Sequence, residues 1–296
     1  MDIGIVVKPP AEDARLQELR DIVARLREAG HRVRVRVTFE GGDARRLARA
    51  AAAAGCELVI AAGGDGTVNE VVNGLASARR RARLAIVPFG TANDFASGLA
   101  IPPDTAGAIA VALEGEPLDV DIGCVNGRRF INVSTGGFGA SATADASLDM
   151  KRRLGGLAYI LTGARKLVEM TPECARFMVD GETVHDGEFV FFAVGNAWRT
   201  GGGTRIAPRA DVRDGKLDVV IVRGVSRLDF LSLLPDLRAG THLESPDVLY
   251  LRAERVEVAA DEELAVNVDG EPMRKRRFVY TLHDQPLTIM TPRDHG

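Results

Sequence analysis

The N-terminal part of the chain alternates short apolar runs with segments of helical pattern. "IGIVV", "CELVIAA" and "LAIVPFG" are apolar runs of strand length, and "HRVRVRVTF" alternates polar and apolar residues as a strand with one wetter face does. Gly30 is a C-terminal stop for the first helical segment. The apolar residues that share one face of that segment are Leu16, Leu19, Ile22, Val23 and Leu26. Because strands that alternate with helices pair in parallel through right-handed crossovers, the pattern predicts an α/β domain with a parallel sheet.

The pattern changes near Asp119. From "PLDVDIGCV" and "RRFINVSTGG" onward, the apolar runs are shorter and are separated by Gly, Asp and Asn turns. Two helical patterns interrupt them, at about 154–168 and 228–237. The pattern predicts a second, β-rich domain from about Val125 onward.

Charge and cysteine usage exclude several classes of protein. The net charge of -3 argues against bulk attraction to nucleic acid or to an anionic membrane, and no nucleic-acid partner is expected. The three cysteines form no CxxC pair, which indicates neither a zinc site nor a disulfide framework and favours a reducing compartment. The N-terminus has no basic region, and no apolar stretch approaches the ~18–20 residues that span a bilayer. We therefore expect a cytoplasmic protein.

The segment "AAGGDGTVNEVVNGL" follows a buried strand and opens a helix at about Thr67. A strand, a glycine loop and a helix N-terminus together place backbone N–H groups and positive potential at one spot, which suits a phosphate. Gly63, Gly64 and Gly66 would let the backbone approach phosphate oxygens. Neither the P-loop lysine pattern nor the G-x-G-x-x-G dinucleotide spacing is present. A tight turn that needs glycines only for its dihedral angles is the alternative interpretation.

A second polar glycine segment, "VPFGTANDFASGL", follows the next predicted strand. It brings Gly90, Thr91, Asn93 and Asp94 to the same edge of the sheet. Ligands of open parallel sheets bind beyond the carboxyl ends of the strands. The two segments therefore predict one shared ligand cleft.

Together, "GGDGTVNEVVNGL" and "PFGTANDFA" resemble the paired signature of the diacylglycerol kinase catalytic domain, the lipid kinases that include sphingosine and ceramide kinases. Four further segments match the same family in order: "VDIG", "RRFINVSTGGFGA", "GNAWRTGGGTRIAPRADVRDGKLDVVIV" and "VNVDGEP". The resemblance therefore covers about 2–292. It is nearest to compact bacterial diacylglycerol or phosphatidylglycerol kinases. It implies an NAD kinase/diacylglycerol kinase-like two-domain α/β fold. Residues 1–124 and 286–296 would form a parallel-sheet ATP-binding domain, with "PLTIMTP" returning to it, and 125–285 a β-sandwich-like lipid-substrate domain.

The resemblance also implies roles for individual residues. It places Glu271 of "VDGEP" as the proton acceptor for the lipid hydroxyl, and Asp121 of "VDIG" as an acid associated with that site. It assigns Mg²⁺ to Asp214, with backbone oxygens near Asp211 and Lys216. It places Thr38 near the nucleotide, and it places the phosphates of ATP against Gly63, Gly64, Asp65, Gly66, Thr67, Val68, Asn69 and Thr91.

From the residues alone, "RDGK" and "VDGE" are as typical of two-residue hairpin turns as they are of these functional roles.

These assignments are consistent with phosphoryl transfer, which asks a protein mainly to position the reactants and to neutralise charge. Without a P-loop lysine, the site depends on amide N–H donors, the helix end and Mg²⁺. Asp65 or Asp94 would orient the catalytic metal, and Glu271 would accept the alcohol proton late in transfer.

The chain also departs from its relatives. It has "VVKPPAED" where many carry Asn-Pro-x-Ser-Gly, which leaves the role of Lys8 open, and Ser97 where some carry an arginine for a phosphorylated head group. Three basic clusters, 79–83, 151–153 and 274–277, either contact anionic lipid or are solvated faces. The expected partner is a membrane lipid, reached by transient peripheral contact, and a homodimer stays open. An NAD kinase and a catalytically silent nucleotide- or lipid-binding module are the alternatives.

Overall fold

The computed structural model describes residues 1–10, 13–138, 140 and 171–293. The helical pattern predicted at 154–168 and the basic cluster 151–153 lie outside these residues. The strands are β1 Asp2–Val7, β2 Arg32–Val37, β3 Leu58–Gly63, β4 Arg83–Pro88, β5 Glu116–Val120, β6 Gly123–Val125, β7 Arg128–Phe130, β8 Val133–Gly137, β9 Glu173–Val179, β10 Glu182–Gly195, β11 Leu217–Arg223, β12 Val248–Ala253, β13 Arg255–Val268, β14 Glu271–Leu282 and β15 Leu287–Thr291. The helices are α1 Asp13–Glu28, α2 Asp43–Ala53, α3 Asp65–Ala76, α4 Asp94–Gly98, α5 Thr105–Glu114, α6 Arg227–Ala239 and a 3-10 turn His242–Glu244.

The chain divides into two compact units. The first contains residues 1–122 and 284–296, and the second contains residues 123–283. That the first binds ATP and the second binds lipid stays a prediction.

The first unit is built on a six-stranded sheet with the order β2-β1-β3-β4-β15-β5. Its strands pair in parallel except for β5, which runs antiparallel to β15. Every residue of β1 and β3 is buried, as expected for strands that are covered on both faces. The prediction of a parallel α/β sheet, to which the C-terminal strand returns, is confirmed.

Three helices of this unit show which of their features the sequence pattern predicted and which it did not. In α1, four of the five predicted apolar residues are buried, and Gly30 follows it at φ 86°. Helix α3 begins at Asp65, two residues before the predicted start, because β3 continues through Gly63 and leaves Gly64 as the N-cap. Helix α5 was not predicted; Asp104 caps it by accepting a hydrogen bond from the Gly107 amide at 2.7 Å.

Within its described residues, the second unit contains a nine-stranded sheet whose strands pair antiparallel. Both β8 and β9 pair with β10 and with β13, so that these four strands close on themselves. The closure surrounds a core in which the rings of Phe177, Phe189 and Phe192 contact one another edge to face. Helix α6 covers a second apolar cluster through Phe230, Leu233 and Leu237. The β-rich second region is therefore confirmed.

None of the described helices is long and apolar enough to cross a membrane.

Candidate active site

The two glycine loops of the first unit meet at the carboxyl ends of β3 and β4. A Cβ atom built on Gly64 would lie 3.0 Å from the Cα of Gly90, and one built on Gly90 would lie 2.5 Å from the Cα of Gly64. Side chains on either glycine would therefore push the loops apart. The prediction that both loops share one edge of the sheet holds, and they pack backbone against backbone.

Within the first loop, the glycines are needed for different reasons. A Cβ on Gly63 would lie 2.5 Å from the side chain of Thr67, which is buried beneath it. A Cβ on Gly66 would meet no atom within 4 Å, and Gly66 is exposed. The fold itself thus requires Gly63 and Gly64, whereas it leaves Gly66 facing open space. None of the three glycines has a positive φ, so the turn interpretation, in which glycines are needed for their dihedral angles, accounts for none of them, and close packing accounts for the first two.

Helix α3 presents its N-terminus at this edge. Gly64 is its N-cap and offers no side-chain cap; the Gly64 carbonyl accepts hydrogen bonds from the amides of Thr67 at 2.9 Å and Val68 at 3.0 Å. The side chains of Thr67 and Val68 are buried, while Asn69 is half-buried and accepts a hydrogen bond from Asn73 at 3.0 Å. The positive end of a helix beside open space is a suitable place for an anion.

Asp65 ties the two loops together. Its carboxylate accepts hydrogen bonds from the amides of Phe95, at 3.2 Å, and Asp94. Burial raises the pKa of Asp65, and the neighbouring charge of Asp94 acts in the same direction. Asp94 is buried, with 6% of its surface exposed. The two acids predicted to orient a metal are therefore neighbours, and one of them also has a clear structural task.

The remaining predicted nucleotide contacts lie on the turns around this edge. Thr91 is exposed on a turn in which Asn93, at φ 50°, accepts a hydrogen bond from the Gly90 amide at 2.9 Å and donates to the Gly90 carbonyl at 2.8 Å. Thr38 is half-buried directly after β2, and its amide donates to the Val7 carbonyl at 2.9 Å.

Two further acids fix the loop that follows Thr38. Asp43 accepts hydrogen bonds from the amides of Phe39 and Glu40, which, with Arg46, lower the pKa of Asp43 to about 2. Glu70, on α3, accepts hydrogen bonds from the amides of Gly42 and Ala44, each at 3.0 Å. Sequence reasoning missed both acids, since nothing in the chain shows that 39–45 packs on the helix of the glycine loop.

In the second unit, "VDGE" forms the two-residue hairpin between β13 and β14. Asp269 and Gly270 have φ angles of 48° and 93°, and Val268 pairs with Glu271. The Asp269 carboxylate accepts hydrogen bonds from three consecutive amides, those of Ile131 at 2.7 Å, Asn132 at 3.0 Å and Val133 at 3.1 Å. The hairpin interpretation is thus confirmed for this turn, and the turn is anchored to the segment that precedes β8.

Glu271 begins β14 directly after this anchored turn. Its side chain is 66% exposed and forms an ion pair with Arg128 of β7. Asp121, the other acid that the resemblance associates with the acceptor site, is half-buried and follows β5 in the first unit. Neither unit by itself brings Asp121 and Glu271 together.

The segment predicted to bind magnesium is not a two-residue hairpin, so that interpretation of "RDGK" is wrong. β10 ends at Gly195 and β11 begins at Leu217, and the turn belongs to the long connection between them. Asp214 accepts a hydrogen bond from the Lys216 amide at 2.9 Å and pairs with Arg252. Arg213 pairs with Asp211 and lowers its pKa.

Asp218 adds an unexpected negative group to this segment. It is fully buried, and its Oδ2 has no hydrogen-bond partner in the described part of the chain, while Tyr250 donates to its Oδ1. Burial, followed by the charge of Asp211, raises the pKa of Asp218 to about 6. No group of three or more His, Cys, Asp or Glu side chains in the described residues is arranged to hold a metal. Asp211 and Asp214 are each paired with an arginine, and a magnesium site around Asp214 stays a prediction.

Both units match known protein families. Residues 5–125 match the diacylglycerol kinase catalytic domain, and residues 132–291 match the YegS C-terminal NAD kinase beta sandwich-like domain. A protein named "Probable lipid kinase YegS-like" from Pseudomonas aeruginosa (strain UCBPP-PA14) is 42% identical over 276 residues, 93% of this chain and 90% of the relative. A protein of the same name from Chromohalobacter salexigens is 42% identical over 284 residues, 95% of this chain and 91% of the relative.

Solved structures agree with these matches. The structure described as "a putative diacylglycerol kinase from Bacillus anthracis str. Sterne" aligns with a TM-score of 0.82 at 26% identity, covering 99% of this chain and 98% of that one. A yeast NADH kinase complexed with NADH aligns with a TM-score of 0.59 at 11% identity, covering 100% of this chain and 84% of that one, which shows a shared fold alone. The predicted NAD kinase/diacylglycerol kinase-like fold is confirmed.

Proposed function

Since this chain belongs to the family of YegS-like lipid kinases with a diacylglycerol kinase catalytic domain, we propose that it transfers the γ-phosphate of ATP, with Mg²⁺, to the hydroxyl of a membrane lipid such as diacylglycerol or phosphatidylglycerol. The observation that carries the proposal is the glycine loop at the N-terminus of α3. Three of its features support a phosphate site: the N-cap without a side-chain cap, the backbone contact between Gly64 and Gly90, and the open space beside Gly66.

We assign the nucleotide to the first unit. The phosphates of ATP lie against the backbone of 63–69 and against Thr91, whose turn Asn93 holds in place. Thr38 contacts the nucleotide from the end of β2. Asp65 or Asp94, which are neighbours at this edge of the sheet, would orient the metal.

We assign the acceptor chemistry to Glu271. The alcohol must lose its proton as the new bond to phosphorus forms, and a carboxylate within reach accepts that proton. Asp269 fixes the turn on which Glu271 stands, and Arg128 orients the Glu271 carboxylate. The resemblance associates Asp121, which belongs to the first unit, with the same step.

Mg²⁺ neutralises charge on the phosphates when it is bound with ATP. A second, structural ion would be held by Asp214 and by backbone oxygens near Asp211 and Lys216. The carboxyl group of Asp218, whose pKa is raised by burial and by the charge of Asp211, lies in the same segment. Replacing Asp214 by Ala should then abolish the Mg²⁺-dependent rise in unfolding temperature, and an unchanged rise would remove the assignment.

The lipid is presented at a membrane surface, which the protein visits transiently from the cytoplasm. Relatives at 42% identity are named lipid kinases, whereas the likeness to an NADH kinase concerns the fold, so the acceptor is a lipid and not NAD. Ser97 is exposed at the position where some relatives carry an arginine for a phosphorylated head group, which favours diacylglycerol over phosphatidylglycerol as the acceptor.

The test offers NAD, a soluble polyol, and diacylglycerol or phosphatidylglycerol in mixed micelles to the same preparation with labelled ATP and Mg²⁺. Label should enter the lipid fraction and should depend on Mg²⁺. Phosphorylation of NAD without any of the lipids would overturn the proposal.

A further inference from the structure

Helix α6 of the second unit carries apolar side chains on two opposite faces. Its inner face buries Phe230, Leu233 and Leu237 against the sheet. A helix on the surface of a soluble domain ordinarily has one apolar stripe and a polar outer face. The outer face of α6 departs from that rule.

Two leucines form the centre of that outer face. Leu228 is 77% exposed and Leu231 is 46% exposed, and they are the exposed large apolar side chains of the second unit among the described residues. Leu228, Leu231 and Pro235 follow one another at i, i+3 and i+7, so they lie along one line of the helix. Pro235 also lacks the amide that would bond to the Leu231 carbonyl within the helix.

The charges around this line favour an anionic partner. Arg227 and Arg238 are exposed near the two ends of α6. The helix also carries Asp229 and Asp236, so its own charges cancel, and the excess positive charge of this region comes from Arg199 and Arg205 beside its C-terminal end.

A tryptophan with two arginines lies beside the C-terminal end of α6. The guanidinium groups of Arg199 and Arg205 stack on the ring of Trp198, with their carbon atoms 3.9 and 5.3 Å from the centre of the ring. The Arg205 amide donates to the Arg238 carbonyl at 3.3 Å, which ties this group to the helix. Tryptophan and arginine together are typical of the boundary between water and a membrane.

We propose that Arg227, Leu228, Leu231, Pro235 and Arg238, here called the α6 surface, dock the protein on an anionic lipid bilayer. The leucines enter the head-group boundary, and the arginines pair with acidic head groups. Two apolar side chains with a few cations give weak, reversible contact, which suits an enzyme that visits its substrate. The proposal rests on the proposed function, because a lipid kinase has to reach a lipid surface.

The test is sedimentation of the protein with vesicles of phosphatidylcholine, with and without phosphatidylglycerol, in the absence of ATP. The wild type should bind the phosphatidylglycerol vesicles more tightly, and added salt should weaken that binding. The double variant Leu228→Ser/Leu231→Ser should bind roughly tenfold or more weakly, since each buried leucine contributes substantially to transfer from water. Since both side chains are exposed, its unfolding temperature should not change.

The matched control is Phe39→Ser, which removes an apolar side chain that is 91% exposed in the first unit. It should bind vesicles as the wild type does. Equal binding by the double variant and the wild type, or equal loss in the control, would overturn the proposal. A shift of the double variant from dimer to monomer with no change in vesicle binding would also overturn it, because a second copy of the chain would then be the occupant.

A failure of the docking surface can be told apart from a failure of the proposed function. A short-chain, water-soluble diacylglycerol needs no bilayer, so the double variant should phosphorylate it at the wild-type rate. A wild type that binds vesicles and phosphorylates no lipid would contradict the function and leave the surface standing.

Discussion

The glycine loop of the first unit and the hairpin turn of the second contain similar letters, "GGDG" and "VDGE", but they are held in different ways. In the first, position depends on missing side chains, since a Cβ on Gly63, Gly64 or Gly90 would meet an atom at 2.5–3.0 Å. In the second, Gly270 faces open space, and position depends on the Asp269 carboxylate and its three amide donors. The glycine loop is positioned by close contacts that leave no room for a Cβ atom, and the hairpin turn is positioned by the hydrogen bonds of the Asp269 carboxylate.

The difference suits the tasks proposed for the two turns. A polyphosphate is best bound by a surface of amides that it can approach closely, which glycine provides. A proton acceptor needs a single carboxylate at a defined place, which an anchored turn provides. Substitutions should therefore affect the two turns differently.

The largest effect is expected at Glu271, where the anchored turn ends. Glu271→Gln keeps the shape of the side chain and removes the proton acceptor, so turnover should fall by about 10²–10⁴-fold. ATP binding should change little, because the nucleotide is assigned to the other turn. Steady-state kinetics with a micellar lipid measures the change, and activity within a few fold of the wild type would remove Glu271 from this role.

Asp269→Ala should cost the second unit roughly 2–4 kcal/mol of unfolding free energy, because the amides of 131–133 lose their shared acceptor. Those three residues are buried, so water does not readily replace the carboxylate. Urea denaturation gives the value. Asp180→Ala is a matched control, because Asp180 accepts hydrogen bonds from two amides on an exposed turn and should cost less. Equal losses would show that the anchor is unimportant.

Gly64→Val should raise the KM for ATP by roughly 10- to 100-fold, or about 1.4–2.7 kcal/mol. The added side chain presses on the backbone of Gly90 and displaces the two loops to which the phosphates are assigned. The unfolding temperature should therefore fall as well. A variant with normal KM would show that the glycine serves only the turn.

The smallest effect is expected at Gly270, where a Cβ meets no atom within 4 Å. Gly270→Ala should cost only about 1–2 kcal/mol, because φ at this position is 93° and alanine adopts the left-handed region reluctantly. Thermal unfolding measures this cost, and kinetics should stay near wild type. A loss of activity comparable to that of Gly64→Val would mean that the hairpin also depends on missing side chains.

Much of this contrast could be predicted from the sequence, and part of it could not. The apolar runs of β1, β3 and β4 fix a parallel sheet, and the glycines after two of them predict a shared edge. The strand pattern after Asp119 likewise predicts the β-rich unit. These are local patterns with strong physical causes.

What the sequence did not reveal depends on contacts between distant residues. The Asp269 carboxylate accepts hydrogen bonds from amides more than a hundred residues away in the sequence. Glu70 accepts one from the Gly42 amide, which is more than twenty residues away. Nor does the sequence show that Asp218 is buried, or that "RDGK" stands in a long connection. Tertiary packing alone decides these features.

The most direct test of the account is the dissociation constant of ATP for Gly66→Val, measured by isothermal titration calorimetry together with the unfolding temperature. Gly66 is the glycine of the loop whose Cβ would meet no protein atom, so valine should leave the unfolding temperature unchanged. If the phosphates of ATP occupy that space, the dissociation constant should rise by roughly tenfold or more. An unchanged dissociation constant in a stable Gly66→Val protein would contradict the claim that this loop holds the nucleotide.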